Sequence, residues 1–133
     1  MLVVDSSAVL AVLVGRPTPA RLIDRLIDGD LHAPHLIDIE VLHALRRLTA
    51  RGELTEERAA DARLDFGDLA LVRYPHVGLR DRIWELRHNL TAYDAAFIAL
   101  AELLGAPVVT CDARLRTAAG HSAHVEAFSG SGP

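Results

Sequence analysis

Short runs of apolar residues alternate along the chain with longer stretches in which apolar residues follow helical spacing. The runs that predict strands are LVV at 2–4, LALVRYP at 69–75, PVVTC at 107–111 and AHVEAF at 123–128, with DLHAP at 30–34 as a brief extended piece. Runs that are apolar throughout are typical of parallel strands, because both faces of a parallel sheet are covered. The pattern therefore predicts a three-layer α/β/α domain with a mainly parallel central sheet.

Helices are predicted where apolar residues recur at helical spacing between recognisable start and stop signals. Pro19 marks one start and Gly29 its end, while Thr55 caps a helix that begins with two glutamates. The other predicted helices cover 7–14, 36–51, 78–89 and 92–104, with one helical turn at 113–118.

Length and composition favour a single domain, which we expect over residues 1–128, followed by a flexible tail at 129–133. Half of the 133 residues are apolar, which suffices for a core and leaves apolar surface for a partner. No apolar run reaches the roughly 18 residues of a membrane span, and the start MLVVDSS lacks the basic region of a signal peptide. The single cysteine, Cys111, excludes an internal disulfide, so a cytoplasmic protein without membrane contact is expected.

The charged residues exclude several function classes. The net charge of −4 provides no basic field for nucleic acid, and all 14 cationic side chains are arginines. Without a lysine the chain cannot form a P-loop, a Schiff base or the lysine-containing pocket of a response-regulator receiver. Arginine remains well suited to binding phosphate groups.

Two acidic residues come at the ends of predicted strands, Asp5 in LVVD and Asp112 in VVTCD. Ligands collect at the carboxyl ends of the strands in open parallel sheets, so neighbouring strands would place these carboxylates side by side. Each acid also precedes a helix and, taken alone, is more simply explained as a helix N-cap.

Glu40 lies on the face of helix 36–51 that the apolar pattern predicts to be buried. It comes three residues after Ile37 and four before Ala44, both on the apolar stripe. A carboxylate that faces a core is costly unless it is paired, protonated or bound to a metal. A salt bridge is the simplest alternative, but this helix places no arginine one turn from Glu40.

Asp94 lies in the first turn of a helix that is apolar nearly all round, within TAYDAAFIALAELLG. T-A-Y-D fits a capping box, in which Asp94 bonds back to the Thr91 N–H. The apolar helix must approach the core, however, so Asp94 can converge with Asp5, Glu40 and Asp112. Four ionised carboxylates at close range repel one another and need a cation between them. Oxygen-only ligands favour Mg²⁺, for which Mn²⁺ can substitute.

The motifs V-D-S-S, a glutamate on a mid-chain helix, T-A-Y-D-A-A and V-T-C-D-A-R-L together resemble a PIN domain. Their order and the chain length resemble the VapC-type ribonuclease toxins of bacterial toxin–antitoxin pairs, over about residues 1–127. The resemblance implies an endoribonuclease that cuts single-stranded or loop RNA, forms a homodimer and is inhibited by a small antitoxin protein. The RNA that is cut varies among members, so the resemblance does not identify it.

The resemblance also assigns residues to roles. The acids of the catalytic metal site fall at Asp5, Glu40, Asp94 and Asp112. Supporting hydroxyl groups fall at Ser7 and Thr110, and Leu115 stands where relatives often carry phenylalanine. Arg114 and Arg116 follow the last acid, and we expect them either to bind substrate phosphates or to be solvated charges on a short helix.

Phosphodiester hydrolysis needs an activated water and stabilisation of charge on the phosphate and on the leaving oxygen. One or two Mg²⁺ ions, about 3.5–4 Å apart where there are two, supply both effects. The carboxylates hold the metal, and one of them can accept a proton from the water. We expect Asp5 and Asp94 to be direct ligands, with Glu40 and Asp112 acting through water.

Two other function classes stay open. A phosphatase-like hydrolase would use Asp5 as nucleophile, although haloacid-dehalogenase relatives carry a second acid where this chain has Ser7 and normally use a lysine. A non-catalytic PIN-like binding module is the other class, and a complete set of four acids argues against it.

The remaining candidate groups are weaker. His32 with His35, and His121 with His124, have spacings that suggest zinc. Neither pair has a clear third ligand on one helix face, so we expect surface histidines. Cys111 is expected to be an inert residue in a buried strand.

Overall fold

The computed structural model describes residues 1–15 and 18–129. A five-stranded sheet lies at its centre, in the order β3-β2-β1-β4-β5, and all neighbouring strands are parallel. The strands are β1 Leu2–Val4, β2 Leu31–Pro34, β3 Leu71–Tyr74, β4 Val108–Thr110 and β5 Val125–Ala127. The predicted α/β fold with a parallel sheet is confirmed, and the stretch DLHAP supplies a full strand of that sheet.

Helices flank the sheet. They are α1 Ser6–Val14, α2 Ala20–Ile27, α3 Leu36–Ala50, α4 Glu56–Asp68, α5 Arg80–Glu85, α6 Ala92–Leu104 and α7 Arg114–Thr117. Helices α1, α3 and α4 contact one another, whereas α5 packs on α6, as expected for helical layers on opposite faces of a sheet. In the described part of the chain, each helix is too short or too polar to cross a membrane.

The helix predicted over 78–89 is shorter than expected. A 3₁₀ turn at Val77–Leu79 leads into α5, which ends at Glu85, and the Leu86 N–H divides its bonds among several carbonyl groups. Leu79 and Leu86 are both buried, so the apolar spacing is satisfied without a continuous helix. The predicted tail lies outside the described residues from 130 onward.

Helix α6 connects the core to the carboxyl edge of the sheet. Its residues 95–101 are all buried, and the helix contacts β1, β2 and β4. Thr91 caps its start, and Gly105, with φ of 63°, ends it in the left-handed conformation that glycine tolerates best. Because this helix packs so deeply, the position of Asp94 in its first turn is fixed relative to the strand ends.

Candidate active site

The strand order makes β1 and β4 neighbours, with Val4 beside Val109 in the register. Asp5 and Asp112 therefore follow adjacent parallel strands and lie at the same edge of the sheet. The sequence predicted that these two carboxylates would lie side by side if their strands were neighbours, and the strands are neighbours.

Asp5 is held by three hydrogen bonds. Its side chain accepts bonds from the Ser7 hydroxyl at 2.7 Å and from the Ala8 N–H at 3.0 Å, and the Thr110 hydroxyl donates to the second oxygen. Asp5 is thus also the N-cap of α1, so capping and a place in the acidic site are compatible. Burial raises the pKa of Asp5, its three hydrogen bonds oppose this rise, and the charge of Asp94 adds to it.

Thr110 and Ser7 join the ends of the two strands. Thr110 is fully buried, and its hydroxyl oxygen accepts a bond from the Asp112 N–H at 2.9 Å while donating to Asp5. The Ser7 hydroxyl accepts a bond from the Cys111 N–H at 2.9 Å. These hydroxyl groups fix the orientation of Asp5 and the backbone that carries Asp112.

Glu40 approaches the same edge from α3. It is half-buried, and the Ser6 hydroxyl donates to its carboxylate at 3.1 Å. Within residues 1–15 and 18–129, no salt bridge reaches Glu40, so the simplest alternative explanation for it is not found there. Burial raises the pKa of Glu40, and the charges of Asp94 and Asp5 raise it further against the opposing bond from Ser6.

Asp94 takes part in only one half of a capping box. The Thr91 hydroxyl accepts a bond from the Asp94 N–H at 3.2 Å, which caps α6. The reciprocal bond from the Thr91 N–H to the Asp94 carboxylate is absent from the hydrogen bonds of the described residues. Burial raises the pKa of Asp94, and the charge of Asp112 adds to this effect, while Arg114 and Thr91 oppose it.

Asp112 has its own counter-charge in Arg114. The guanidinium of Arg114 donates from Nε to Oδ1 at 3.0 Å and from Nη2 to Oδ2 at 2.7 Å, although its side chain is 85% exposed. This pairing lowers the pKa of Asp112. Arg116, by contrast, extends towards β5, where its Nη2 lies 3.4 Å from the Ala127 carbonyl oxygen.

The donor set can be tested for its fit to a metal ion. The four acids influence one another electrostatically, and the acids supply only carboxylate oxygens, which suits Mg²⁺ or Mn²⁺. In the part of the chain that the structure describes, no three potential ligands are close enough to enclose one ion as the side chains lie. The donor set thus fits such an ion by its chemistry, while one of the four acids, Asp112, is paired with Arg114 in this structure.

Two features of the site were missed by the sequence reasoning. Ser6 holds Glu40, and the doubled serine of V-D-S-S was the signal that could have identified it. The second missed feature is the bidentate ion pair of Asp112 with Arg114. Residues two apart meet only when a turn brings their side chains together, so the spacing alone does not predict this pair.

Two expectations outside the acids were wrong. His32 is not a surface residue but is only 5% exposed, with its ring bonded to the Tyr74 hydroxyl at 2.6 Å and to Asp30 at 2.9 Å. Cys111 lies one residue beyond β4 and is partly exposed rather than buried in the strand. Burial and the charge of Asp5 raise the pKa of its thiol, which keeps it in the less reactive protonated form.

We predict that the burial of Asp94, together with repulsion from Asp112, makes the metal-free protein less stable as the pH rises. The pKa of Asp94 lies above its ordinary value of 3.8, so the folded state retains a proton that the unfolded state has released. Stability should therefore fall from about pH 4 upward, through the raised pKa. In Asp94→Asn the part of this loss that comes from Asp94 is absent, so chemical denaturation should show the variant gaining on the wild type towards neutral pH. A difference that does not change with pH would contradict the prediction.

Comparison with known proteins identifies relatives over most of the chain. The model of the PIN domain family matches residues 2–121. Ribonuclease VapC9 of Mycobacterium tuberculosis is 47% identical over 115 residues, which cover 86% of this chain and 88% of that protein. Ribonuclease VapC1 of the same organism is 43% identical over 120 residues, covering 89% and 90%.

A solved structure shows the same fold at lower identity. VapBC2 from Rickettsia felis, bound to a DNA fragment from its promoter, superposes with a TM-score of 0.70 at 12% identity. The match covers 95% of this chain and 97% of that chain.

Proposed function

We propose, because the chain belongs to the PIN-domain family and within it to the VapC ribonucleases, that its endoribonuclease activity resides at Asp5, Glu40, Asp94 and Asp112. The family is generally metal-dependent, and we propose Mg²⁺ as the ion, with Mn²⁺ as a substitute. The observation that carries this proposal is that Asp5 and Asp112 follow neighbouring strands of a parallel sheet. Besides burial, the charge of Asp94 raises the pKa values of Asp5 and Glu40, and the charge of Asp112 raises the pKa of Asp94. The active unit is a single domain over residues 1–128.

Each acid has a role that follows from its surroundings. Asp5, fixed by three donors, and Asp94, fixed by the buried helix α6, are proposed as the direct metal ligands. Asp112 and Glu40 are proposed to act through water. A bound Mg²⁺ supplies an acidified water and neutralises charge on the phosphate.

Glu40 is the group that we propose as proton acceptor for the attacking water. The Ser6 hydroxyl holds one Glu40 oxygen and leaves the other available to accept a proton. Arg114 is exposed beside Asp112 and is suited to bind a substrate phosphate there. The proposed substrate is single-stranded or loop RNA, and the proposed location of the activity is the cytoplasm.

An antitoxin protein and a second copy of the chain are the proposed partners. Apolar surface supports this, because Ile39, Leu42 and Leu64 on α3 and α4 are 65%, 46% and 70% exposed. Leu42 and Leu64 also line a cleft of about 540 Å³ between these helices. We propose that a partner helix docks near these helices and that an arginine of the partner reaches the four acids.

We predict that the partner and the metal compete. An arginine placed among the acids replaces the metal electrostatically, so each ligand should weaken the other by the same factor. Calorimetric titration of Mn²⁺ into the chain, with and without its partner, measures that factor. Equal metal affinity in both titrations would show that inhibition leaves the acidic site open.

The choice of substrate separates the three function classes. The purified chain is incubated with Mg²⁺ and either RNA or p-nitrophenyl phosphate. We expect RNA to be cut and the ester to be left intact, with no 2′,3′-cyclic phosphate ends, because water rather than the 2′-hydroxyl attacks. Release of phosphate from the ester would favour a phosphatase with Asp5 as nucleophile, and no reaction with either would favour a binding module.

A further inference from the structure

A second cleft lies along β5, the edge strand of the sheet next to β4. Its volume is about 530 Å³, and its lining comes from β5, the start of α2 and α7, including Arg21, Arg116, His124 and Phe128. Pockets of roughly 300–1,000 Å³ accommodate organic ligands of moderate size, a class that includes nucleotides.

The backbone ties this cleft to the acidic site. Thr110 pairs with Ala127 in the register of β4 and β5, and its carbonyl oxygen accepts a bond from the Phe128 N–H at 2.8 Å. The same Thr110 donates its hydroxyl to Asp5. Strands β1 and β5 are two strand spacings apart, or about 10 Å. A stacked nucleic-acid strand advances about 3.4 Å per nucleotide, so about three nucleotides span the distance.

The two arginines of helix α7 lie at different sites, Arg114 at the acids and Arg116 at the cleft. Leu115, only 2% exposed, anchors the helix. Arg114 on one side pairs with Asp112, while Arg116 on the other side reaches the Ala127 carbonyl at the cleft. A phosphate chain that leaves the acids across α7 would therefore meet Arg114 first and Arg116 next.

The cleft combines positive charge with an aromatic surface. The Arg21 guanidinium lies 5.9 Å from the centre of the Phe128 ring. Glu126 also lines the cleft, but Arg25 neutralises it through two bonds of 2.9 and 3.1 Å. Arg21 and Arg116 thus remain available for anions. Proteins bind single-stranded nucleic acid with cationic side chains that contact the phosphates. Flat aromatic or guanidinium groups beside them stack on the bases.

We infer that this cleft binds a nucleotide of the RNA substrate about three positions away from the scissile phosphate. Arg21 and Arg116 bind its backbone phosphates, and a base stacks against the Arg21–Phe128 pair. The inference rests on the proposed ribonuclease function and adds to it a path for the substrate, from the acids across α7 to β5.

Fluorescence anisotropy tests the path with a fluorescein-labelled single-stranded RNA of mixed sequence, in EDTA so that binding is measured without cleavage. The double variant Arg21→Gln with Arg116→Gln should bind about tenfold more weakly at low salt. Its plot of log affinity against log salt should be less steep by about 1.4, because each phosphate contact to a single strand contributes about 0.7. The matched control is Arg46→Gln with Arg47→Gln, two exposed arginines near the end of α3, which should bind like the wild type.

Phe128→Leu tests stacking while retaining an apolar side chain in this partly buried position. Loss of one stacked base should weaken binding at least about fivefold. The double variant of Arg21 and Arg116 and the variant Phe128→Leu could both bind RNA like the wild type while the wild type cleaves RNA with Mg²⁺. In that case the cleft is not the RNA path, and the ribonuclease function stands. If the wild type neither binds nor cleaves RNA, the proposed function itself fails, and this inference fails with it.

Discussion

Asparagine in place of Asp94 is expected to reduce metal-dependent RNA cleavage at least a hundredfold without unfolding the protein. Residues that only support a metal ligand typically change affinity or activity about 10–100-fold, so loss of a direct ligand should exceed this range. The metal-free variant should be as stable as the wild type or more so, because burial and Asp112 already disfavour the charged form of Asp94. Initial cleavage rates and thermal melts without metal measure the two effects.

Asp81→Asn is the matched control for a purely structural role of Asp94. Asp81 is an exposed acid in the first turn of α5, and its replacement removes the same favourable interaction with a helix N-terminus, worth about 0.3–1 kcal/mol. If Asp94→Asn melts early and stays active, as expected for loss of a cap alone, Asp94 is not part of the metal site.

Valine in place of Thr110 should have the second-largest effect. The buried hydroxyl donates to Asp5 Oδ2 and accepts from the Asp112 N–H, so valine removes both bonds, although Ser7 and Ala8 still donate to Asp5 Oδ1. Each such loss costs about 1–3 kcal/mol, and metal affinity should fall about 10–100-fold because Asp5 loses its orientation. Chemical denaturation and a Mn²⁺ titration measure these changes.

Thr110→Ser separates the hydroxyl from the methyl group at this position. Serine retains both hydrogen bonds, so metal affinity should be close to that of the wild type even if the small cavity lowers stability. Equal metal affinity for the valine and wild-type proteins would show that Thr110 supports the core alone.

The sequence predicted the edge of the sheet better than the contacts made there. Asp5 and Asp112 could be placed together because apolar runs identify parallel strands and ligand sites follow their carboxyl ends. The bond from Ser6 to Glu40 depends on how α1 packs against α3, and packing leaves no periodic signal in the sequence. The ion pair of Arg114 with Asp112 depends on a local turn, which likewise leaves no periodic signal in the sequence.

The errors elsewhere have a similar physical origin. His32 lies in β2, an inner strand of the sheet, and its polar ring is tolerated because Tyr74 and Asp30 satisfy both nitrogen atoms. Those partners come from another strand and from a preceding turn, so spacing alone suggested a surface residue. Leu86 shows the same limit, because its burial is achieved by a turn after α5 rather than by a longer helix.

The metal dependence of RNA cleavage tests the central claim most directly. The purified chain, free of partner, is incubated with total RNA over a series of Mg²⁺ or Mn²⁺ concentrations, and in EDTA. The proposed metal site at these four acids predicts cleavage that rises with the metal concentration and disappears in EDTA. Equal cleavage in EDTA would contradict the claim that Asp5, Glu40, Asp94 and Asp112 act by holding a metal ion.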